Sequence, residues 1–352
     1  MMIGIYAGSF DPLTNGHLEI IQQAAHIFDR VIVLVAANPG KPPWLSLTER
    51  RRIIEESLEG RAGVDILTGP GTSVEYAHQR GGCLIRGLGE FTDYPAEKTL
   101  WGVNCRLRPE VATVFLMTRG AENQMRSSTV REAAQYQFGW RSIRDTVPRA
   151  TFNAVALKLL AARPGLKPIL ESADISGYLK RPYHNLEHLI YMLELAALWE
   201  EDWGGVSPAE LGAAIIYHGL REDVAASLEQ LAKDDLPPGC SPAVVAGLIQ
   251  ATDHNNYAFN PGRAMTPAQA ALARLDLAIL GESPDEYARY ARAIREEYAP
   301  QSGYLSETFQ AGRRAFLTNL LARLAAGPLL KPEYDQRATV NARRELAELD
   351  ES

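Results

Sequence analysis

Ile3-Gly4-Ile5-Tyr6-Ala7-Gly8-Ser9-Phe10-Asp11-Pro12-Leu13-Thr14-Asn15-Gly16-His17 decides how the chain is read. Ile3–Ala7 is a short apolar run with β-branched and aromatic members, the pattern of a buried strand. Small and turn-forming residues follow at once, and His17–Phe28 then carries apolar residues at helical spacing. A strand that passes through such a turn into a helix lets the backbone approach a ligand closely. The helix start adds unpaired N–H groups and a positive dipole end, both suited to phosphate. His17 would place a side-chain donor at the same point. Taken alone, the stretch also fits a Gly/Pro-rich strand–helix turn with an incidental histidine.

Strand-like and helix-like stretches continue to alternate downstream. Arg30–Ala37, Val64–Thr68, Cys83–Ile85 and Ala112–Met117 read as further buried strands. Leu47–Leu58, Ser73–Arg80, Asp93–Leu107 and Ser127–Tyr136 read as the helices between and after them. The alternation predicts an α/β domain over residues 1–162, an open parallel sheet of Rossmann-like type with ligands at the carboxyl ends of its strands. Ser127-Ser128-Thr129-Val130-Arg131-Glu132, after the fifth strand, is a second hydroxyl-rich helix start. Two such starts on one sheet can converge on one polyphosphate.

The texture changes after Ala162–Pro168. Leu189–Trp199, Pro208–Tyr217, Pro242–Thr252, Pro267–Leu280 and Thr308–Ala325 are apolar-periodic, and Ser, Thr, Asp or Pro precedes most of them. Residues 163–334 therefore read as an all-α domain, and residues 335–352 as a charged tail, either a solvated terminal helix or a frayed end. The length of 352 residues suits two domains, and 22% charged residues suits a globular chain. A net charge of −7 disfavours a nucleic-acid partner. No apolar run approaches a membrane span, and MMIGIYAGSFDPL has neither a basic start nor a cleavage site. Cys83, Cys105 and Cys240 form no C-x-x-C, so a reduced, cytoplasmic setting is expected.

The combination of T-x-G-H with S-S-T-x-x-R resembles the T/H-x-G-H nucleotidyltransferase superfamily. GSFDPLTNGHLEIIQQAAHIFDRVIVLVAANPGKPPWLSLTERRRII, then CLIRGL, then ATVFLM, resemble bacterial phosphopantetheine adenylyltransferases from Met1 to about Leu160. The resemblance implies adenylyl transfer from ATP, with its Mg²⁺, to 4′-phosphopantetheine, and a homo-oligomer. By the same resemblance, His17 would stabilise the α-phosphorus transition state, with Lys41 and Arg86 as the other catalytic groups. Ser9, Lys41, Thr72 and Arg86 would meet the acceptor. Ser9, Phe10, His17, Gly87, Leu88, Gly89, Glu97, Glu122, Asn123, Gln124, Met125, Arg126, Ser127 and Ser128 would meet ATP. The sequence departs from the family where R-G-L-R and D-F/Y-x-Y-E stand. Here these are Arg86-Gly87-Leu88-Gly89 and Asp93-Tyr94-Pro95-Ala96-Glu97, while Arg126 replaces the usual serine.

In the second half, Arg181-Pro182-Tyr183-His184-Asn185-Leu186-Glu187-His188, His218-Gly219, Thr252-Asp253-His254 and Asp276 are the histidine and aspartate motifs. They resemble the HD-superfamily predicted metal-dependent phosphohydrolases with R-x-Y-H-N-x-x-H. That resemblance implies a divalent metal held by His184, His218 and Asp276, with His188 or Asp253 as helpers. Gly219 stands where the family has aspartate, which disfavours a two-metal hydrolytic site. Glu222 and Asp223 stand near the family's acidic pair. A transferase with a degenerate HD-like domain, a non-catalytic nucleotide or coenzyme A sensor, and an HD-type phosphohydrolase are the three readings that follow.

Overall fold

Val31, Ile32, Val33, Leu34 and Val35 are all buried, as expected of a strand covered on both faces of a parallel sheet. They belong to β2 (Arg30–Val35), which lies beside β1 (Ile3–Gly8) and β3 (Val64–Thr68). The computed structural model describes residues 2–36, 42–59, 61–69, 71–90, 93–120, 125–199, 201–221, 223–260, 262–298 and 307–350. With β4 (Cys83–Leu88) and β5 (Thr113–Met117) the strands form one parallel sheet in the order β3-β2-β1-β4-β5. The chain winds outward from β1 through β2 to β3, then returns to place β4 on the other side of β1. The crevice at the carboxyl ends of β1 and β4 is thus a topological switch point, where open α/β sheets bind ligands.

The helices of this half are α1 (Asn15–Ile27), α2 (Leu47–Ser57), α3 (Ser73–Gln79), α4 (Tyr94–Leu107), α5 (Ser127–Ala133), α6 (Trp140–Ile143) and α7 (Arg149–Ala161). Their starts have local causes. Ser46 and Glu49 form a reciprocal capping box on α2, and Thr72 caps α3. Pro95 sits in the first turn of α4, where a missing N–H costs nothing. The predicted helix Ser127–Tyr136 stops at Ala133, and β4 runs three residues past the predicted Ile85.

The chain divides into two units, Met1–Ala156 and Leu157–Ser352. The composition break at Ala162–Pro168 lies later, because α7 carries the first unit's core onward. Ala150 and Ala154 pack on that core, and the buried Thr151 hydroxyl donates to the Leu13 carbonyl at 2.9 Å.

The second unit is helical throughout its described residues. Its helices are α8 (Leu166–Ser172), α9 (Leu186–Leu198), α10 (Pro208–His218), α11 (Val224–Leu231), α12 (Pro242–Gln250), α13 (Pro267–Leu277), α14 (Pro284–Tyr298), α15 (Glu307–Ala326) and α16 (Pro332–Asp350). Ser207 with Glu210, and Thr266 with Gln269, form capping boxes ahead of a first-turn proline. The predicted stretch Pro267–Leu280 is α-helical only to Leu277, and Ala278–Gly281 winds into a 3₁₀ turn.

The charged end of the chain differs most from expectation. Residues 335–350 are helical, as one of the two alternatives had it, but they are not simply solvated: they make most of α16, which buries Ala338, Asn341, Ala342, Glu345 and Leu349. Its charges mislead because one of them, Glu345, faces inward to a buried Arg313 on α15. No helix among the described residues is long and apolar enough to cross a membrane.

Candidate functional site

Thr14 ends the turn after β1 in extended geometry and caps α1, and His17 is the third helical residue. This spacing makes a capping box in which histidine takes the usual glutamate's place. The Thr14 amide donates to Nδ1 of His17 at 3.0 Å. Nδ1 therefore carries no proton, and the ring's own N–H is on Nε2. Burial lowers the His17 pKa to about 4, so the imidazole is neutral at physiological pH. The turn is held from several sides. The Asp11 carboxylate accepts from the Trp44 and Leu45 amides, both at 2.8 Å, and Arg50 donates to the Ser9 carbonyl at 2.7 Å.

His17 lines a cavity of about 190 Å³ at the switch point, together with Thr14, Gly16, Gly87, Leu88, Gly89, Met125, Arg126 and Ser127. The two helix starts thus meet at one place. The Ser127 hydroxyl donates to the Pro12 carbonyl at 2.7 Å, tying the second start to the first turn. Gly87 keeps the wall close here, since a Cβ would stand 3.0 Å from both the Tyr6 hydroxyl and Ile20.

Other expected ATP contacts are arranged differently. Ser128 is exposed and does not line the cavity. Phe10 is buried, with its ring edge-on to His17 at 5.2 Å, so it supports the imidazole from beneath. Ser9 is exposed beside it. Glu97 is paired through both carboxylate oxygens with Arg86, at 2.5 and 2.8 Å. Thr72 caps α3, accepting from the Glu75 amide at 3.3 Å. Lys41, Glu122, Asn123 and Gln124 lie outside the described residues. Asp93, absent from the expected set, also lines the cavity and pairs with Arg126. Its place in D-Y-P-A-E was the available signal.

In the second unit the donor group differs by one member from the set expected. His188, His218 and Asp276 bring one ligand atom each within 4.8 Å of one another. Nε2 of His188 lies 3.1 Å from Nε2 of His218 and 3.1 Å from Oδ1 of Asp276. His184 is not in this group: its Nδ1 is 2.7 Å from Glu297 Oε1, and Oε2 of Glu297 accepts from the Tyr183 and His184 amides. Burial opposes ionisation of Glu297, but these bonds outweigh it and hold its pKa at about 2.

Nδ1 of His218 lies 2.7 Å from the Ile215 carbonyl and must donate to it, which leaves the Nε2 lone pair facing the group. Burial lowers His218 to about 4 and lowers His188 as well. Burial pushes Asp276 up, yet hydrogen bonds from His188 and His254 hold it well below the usual carboxylate range. His254, not Asp253, is the further member, with Nε2 at 2.8 Å from Asp276 Oδ2. Asp253 faces its own turn, accepting from Asn256 Nδ2 at 2.7 Å. Asp223 caps α11, and Glu222 lies outside the described residues. A Cβ at Gly219 would meet His184 at 3.2 Å and the Tyr178 hydroxyl at 3.3 Å.

Asp276, His184 and His254 open onto a cavity of about 520 Å³ with Tyr290, Tyr298, Phe309 and Phe316 in its wall.

Residues 5–133 match the family model described as cytidylyltransferase-like. Sheet order, switch-point cavity and that match define the first unit as a nucleotidyltransferase, and the protein as an enzyme of that class. The phosphopantetheine adenylyltransferase of Alkaliphilus metalliredigens is 38% identical over 159 residues, 45% of this chain and 99% of that protein. Those of Desulforamulus reducens and Desulforudis audaxviator are 41% and 42% identical, each over 39% of this chain and over 86% and 84% of their own lengths. The chain belongs to the phosphopantetheine adenylyltransferase family, through its N-terminal part.

Proposed function

We propose that the first unit joins ATP to 4′-phosphopantetheine, giving dephospho-coenzyme A and pyrophosphate. A phosphate oxygen of the acceptor attacks the α-phosphorus, and the bond to the β-phosphate oxygen breaks, its electron pair leaving with pyrophosphate. Such a displacement needs positioning and charge stabilisation rather than a covalent nucleophile. The observation that carries the reading is the fixed tautomer of His17, a neutral Nε2–H donor in the switch-point cavity. It would stabilise the charge that develops on an α-phosphate oxygen. Lys41 and Arg86 would hold the acceptor phosphate, and Mg²⁺ arrives with ATP as part of the substrate.

We also place the enzyme in the cytoplasm, consistent with three free cysteines, and assign it a homo-oligomeric state. Tyr94, Leu100, Trp101, Val103 and Leu107 are large apolar side chains exposed on α4, as a subunit interface requires. The test is an acceptor screen on the full chain. Pyrophosphate release should require ATP and 4′-phosphopantetheine together, from a species several times 38.7 kDa. ATP turnover independent of that acceptor, or binding without turnover, would overturn the reading in favour of another acceptor or a sensor.

For the second unit we propose an HD-like domain that holds one divalent metal without full hydrolase activity. Two neutral imidazoles and a carboxylate converging on one point are a donor set for a borderline transition metal such as zinc, iron or manganese. The metal, when bound, would polarise a water or anion at the edge of the 520 Å³ cavity. His254 would orient the Asp276 carboxylate. Gly219 contributes no side chain, which argues against a second ion. Metal analysis of the purified full chain should return about one equivalent, lost in His188→Ala and kept in His184→Ala. A metal-free wild-type protein after metal supplementation would sink the proposal.

A further inference from the structure

The nucleotide cavity is short of positive charge for the ligand proposed to fill it. Among its described lining residues, Glu90 and Asp93 are anions, His17 is neutral and Arg126 alone is a cation. Arg86 is engaged by Glu97, Arg50 by the Ser9 carbonyl and Arg131 by the Asp11 carbonyl, and none of the three lines the cavity. A nucleoside triphosphate carries about four negative charges, of which its Mg²⁺ offsets two, and among the described lining residues Arg126 is the one cation placed to take up the rest.

We propose that Arg126 binds the β- and γ-phosphates of the donor nucleotide, giving up Asp93 to do so. The inference rests on the transferase reading above and names the residue that distinguishes a triphosphate from a monophosphate in it. The local structure suits an exchange of partners. Arg126 is the extended residue that precedes α5, and its neighbour Ser127 is anchored to the Pro12 carbonyl at 2.7 Å, so its backbone is set at the cavity rim. Its side chain is 62% exposed, and an ion pair that open to water is weak and cheaply exchanged. Asp93 does not need Arg126 to stay in place, since its Oδ2 accepts from the Gly89 and Glu90 amides, both at 3.0 Å. Gly89 belongs to the same arrangement. A Cβ there would stand 3.2 Å from Asp93 Oδ2, so a bulkier residue at this position presses on the carboxylate that parks Arg126.

The test uses the full chain, with steady-state pyrophosphate release and calorimetric binding of ATP and AMP as probes. Arg126→Ala should raise the KM for ATP by about tenfold or more and leave the acceptor's KM unchanged, the size expected for losing one charge-assisted contact. Its affinity for ATP should fall toward that for AMP, while AMP binding is unaltered. Arg126→Lys should recover part of the loss. Asp93→Asn, which keeps an acceptor for the two amides but removes the competing charge, should lower the KM for ATP. Equal losses of ATP and AMP affinity in Arg126→Ala, or no loss of either, would overturn the proposal. The transferase reading fails separately, through a wild-type chain that releases no pyrophosphate with 4′-phosphopantetheine.

Discussion

His17→Ala lowers the rate of pyrophosphate release by about 10²–10³-fold, the cost of removing one preorganised donor to a developing oxyanion. The loss is expected in kcat more than in the KM for ATP, because the bond strengthens only as charge builds on the α-phosphate. The protein should still fold. The substitution removes the side-chain half of one capping box, worth about 1 kcal/mol, while Thr14 keeps its place at the end of the turn.

The pH profile gives an independent check. With a pKa lowered to about 4 by burial, His17 stays neutral from pH 8 down to about pH 5, so it contributes no inflection near the ordinary histidine value. Its protonation lies below that range, and a proton on Nδ1 would oppose the Thr14 amide that now donates there. An unchanged kcat in His17→Ala would remove the imidazole from the mechanism. An inflection near pH 6.5 that disappears with the side chain would show instead that His17 acts as a titrating acid.

Glu345→Ala destabilises the second unit by about 3–5 kcal/mol, the usual cost of stranding a buried charge. The Glu345 carboxylate accepts two bonds from Arg313, at 2.8 and 2.9 Å, and one from the Tyr287 hydroxyl. Arg313 also reaches the Tyr290 hydroxyl at 2.9 Å. Removing the carboxylate leaves a guanidinium buried between α14 and α15 with no anion. Urea unfolding followed by circular dichroism should show the second unit's transition at much lower denaturant. Arg313→Met with Glu345→Leu should recover most of the loss, because an apolar pair of similar volume leaves no charge behind. Burial opposes the ionised form of Glu345, but Arg313 outweighs it and the pKa is lowered in the fold. The stability that results is present above the carboxylate's unfolded pKa and declines as pH falls through the lowered value. A Glu345→Ala chain that unfolds with the wild type would mean that the buried pair with Arg313 adds no net stability.

The two sites differ in how far they can be read along the chain. The nucleotide cavity is built around residues close in sequence. Thr14, Gly16 and His17 form one cap, so their spacing already implies their geometry. Ser127 joins them because the chain must return to the switch point after β5. The second unit's donors come from three separate helices, and sequence spacing could not choose between His184 and His188. His188 is in the first turn of α9, while His184 precedes its cap Asn185. Packing decided between them: His188 reaches His218 and Asp276, while His184 is bonded by ring and backbone to Glu297, more than a hundred residues away. Asp253 and His254 posed the same problem, and the contact with Asp276 selected the histidine.

Local chemistry was therefore enough for what depends on neighbours in the chain. Caps, proline-led helix starts, buried parallel strands and the phosphate-facing turn are written in consecutive residues, as is the change from an α/β to an all-α unit. Folding in three dimensions decided the rest. It set which charges are buried in pairs, as with Glu345 in an end segment that looked solvated. It also set which imidazoles share a lone-pair cluster, and which arginine reaches a cavity with two carboxylates in its wall. These outcomes depend on desolvation and on charges brought together across long separations, and neither quantity exists until the helices have packed.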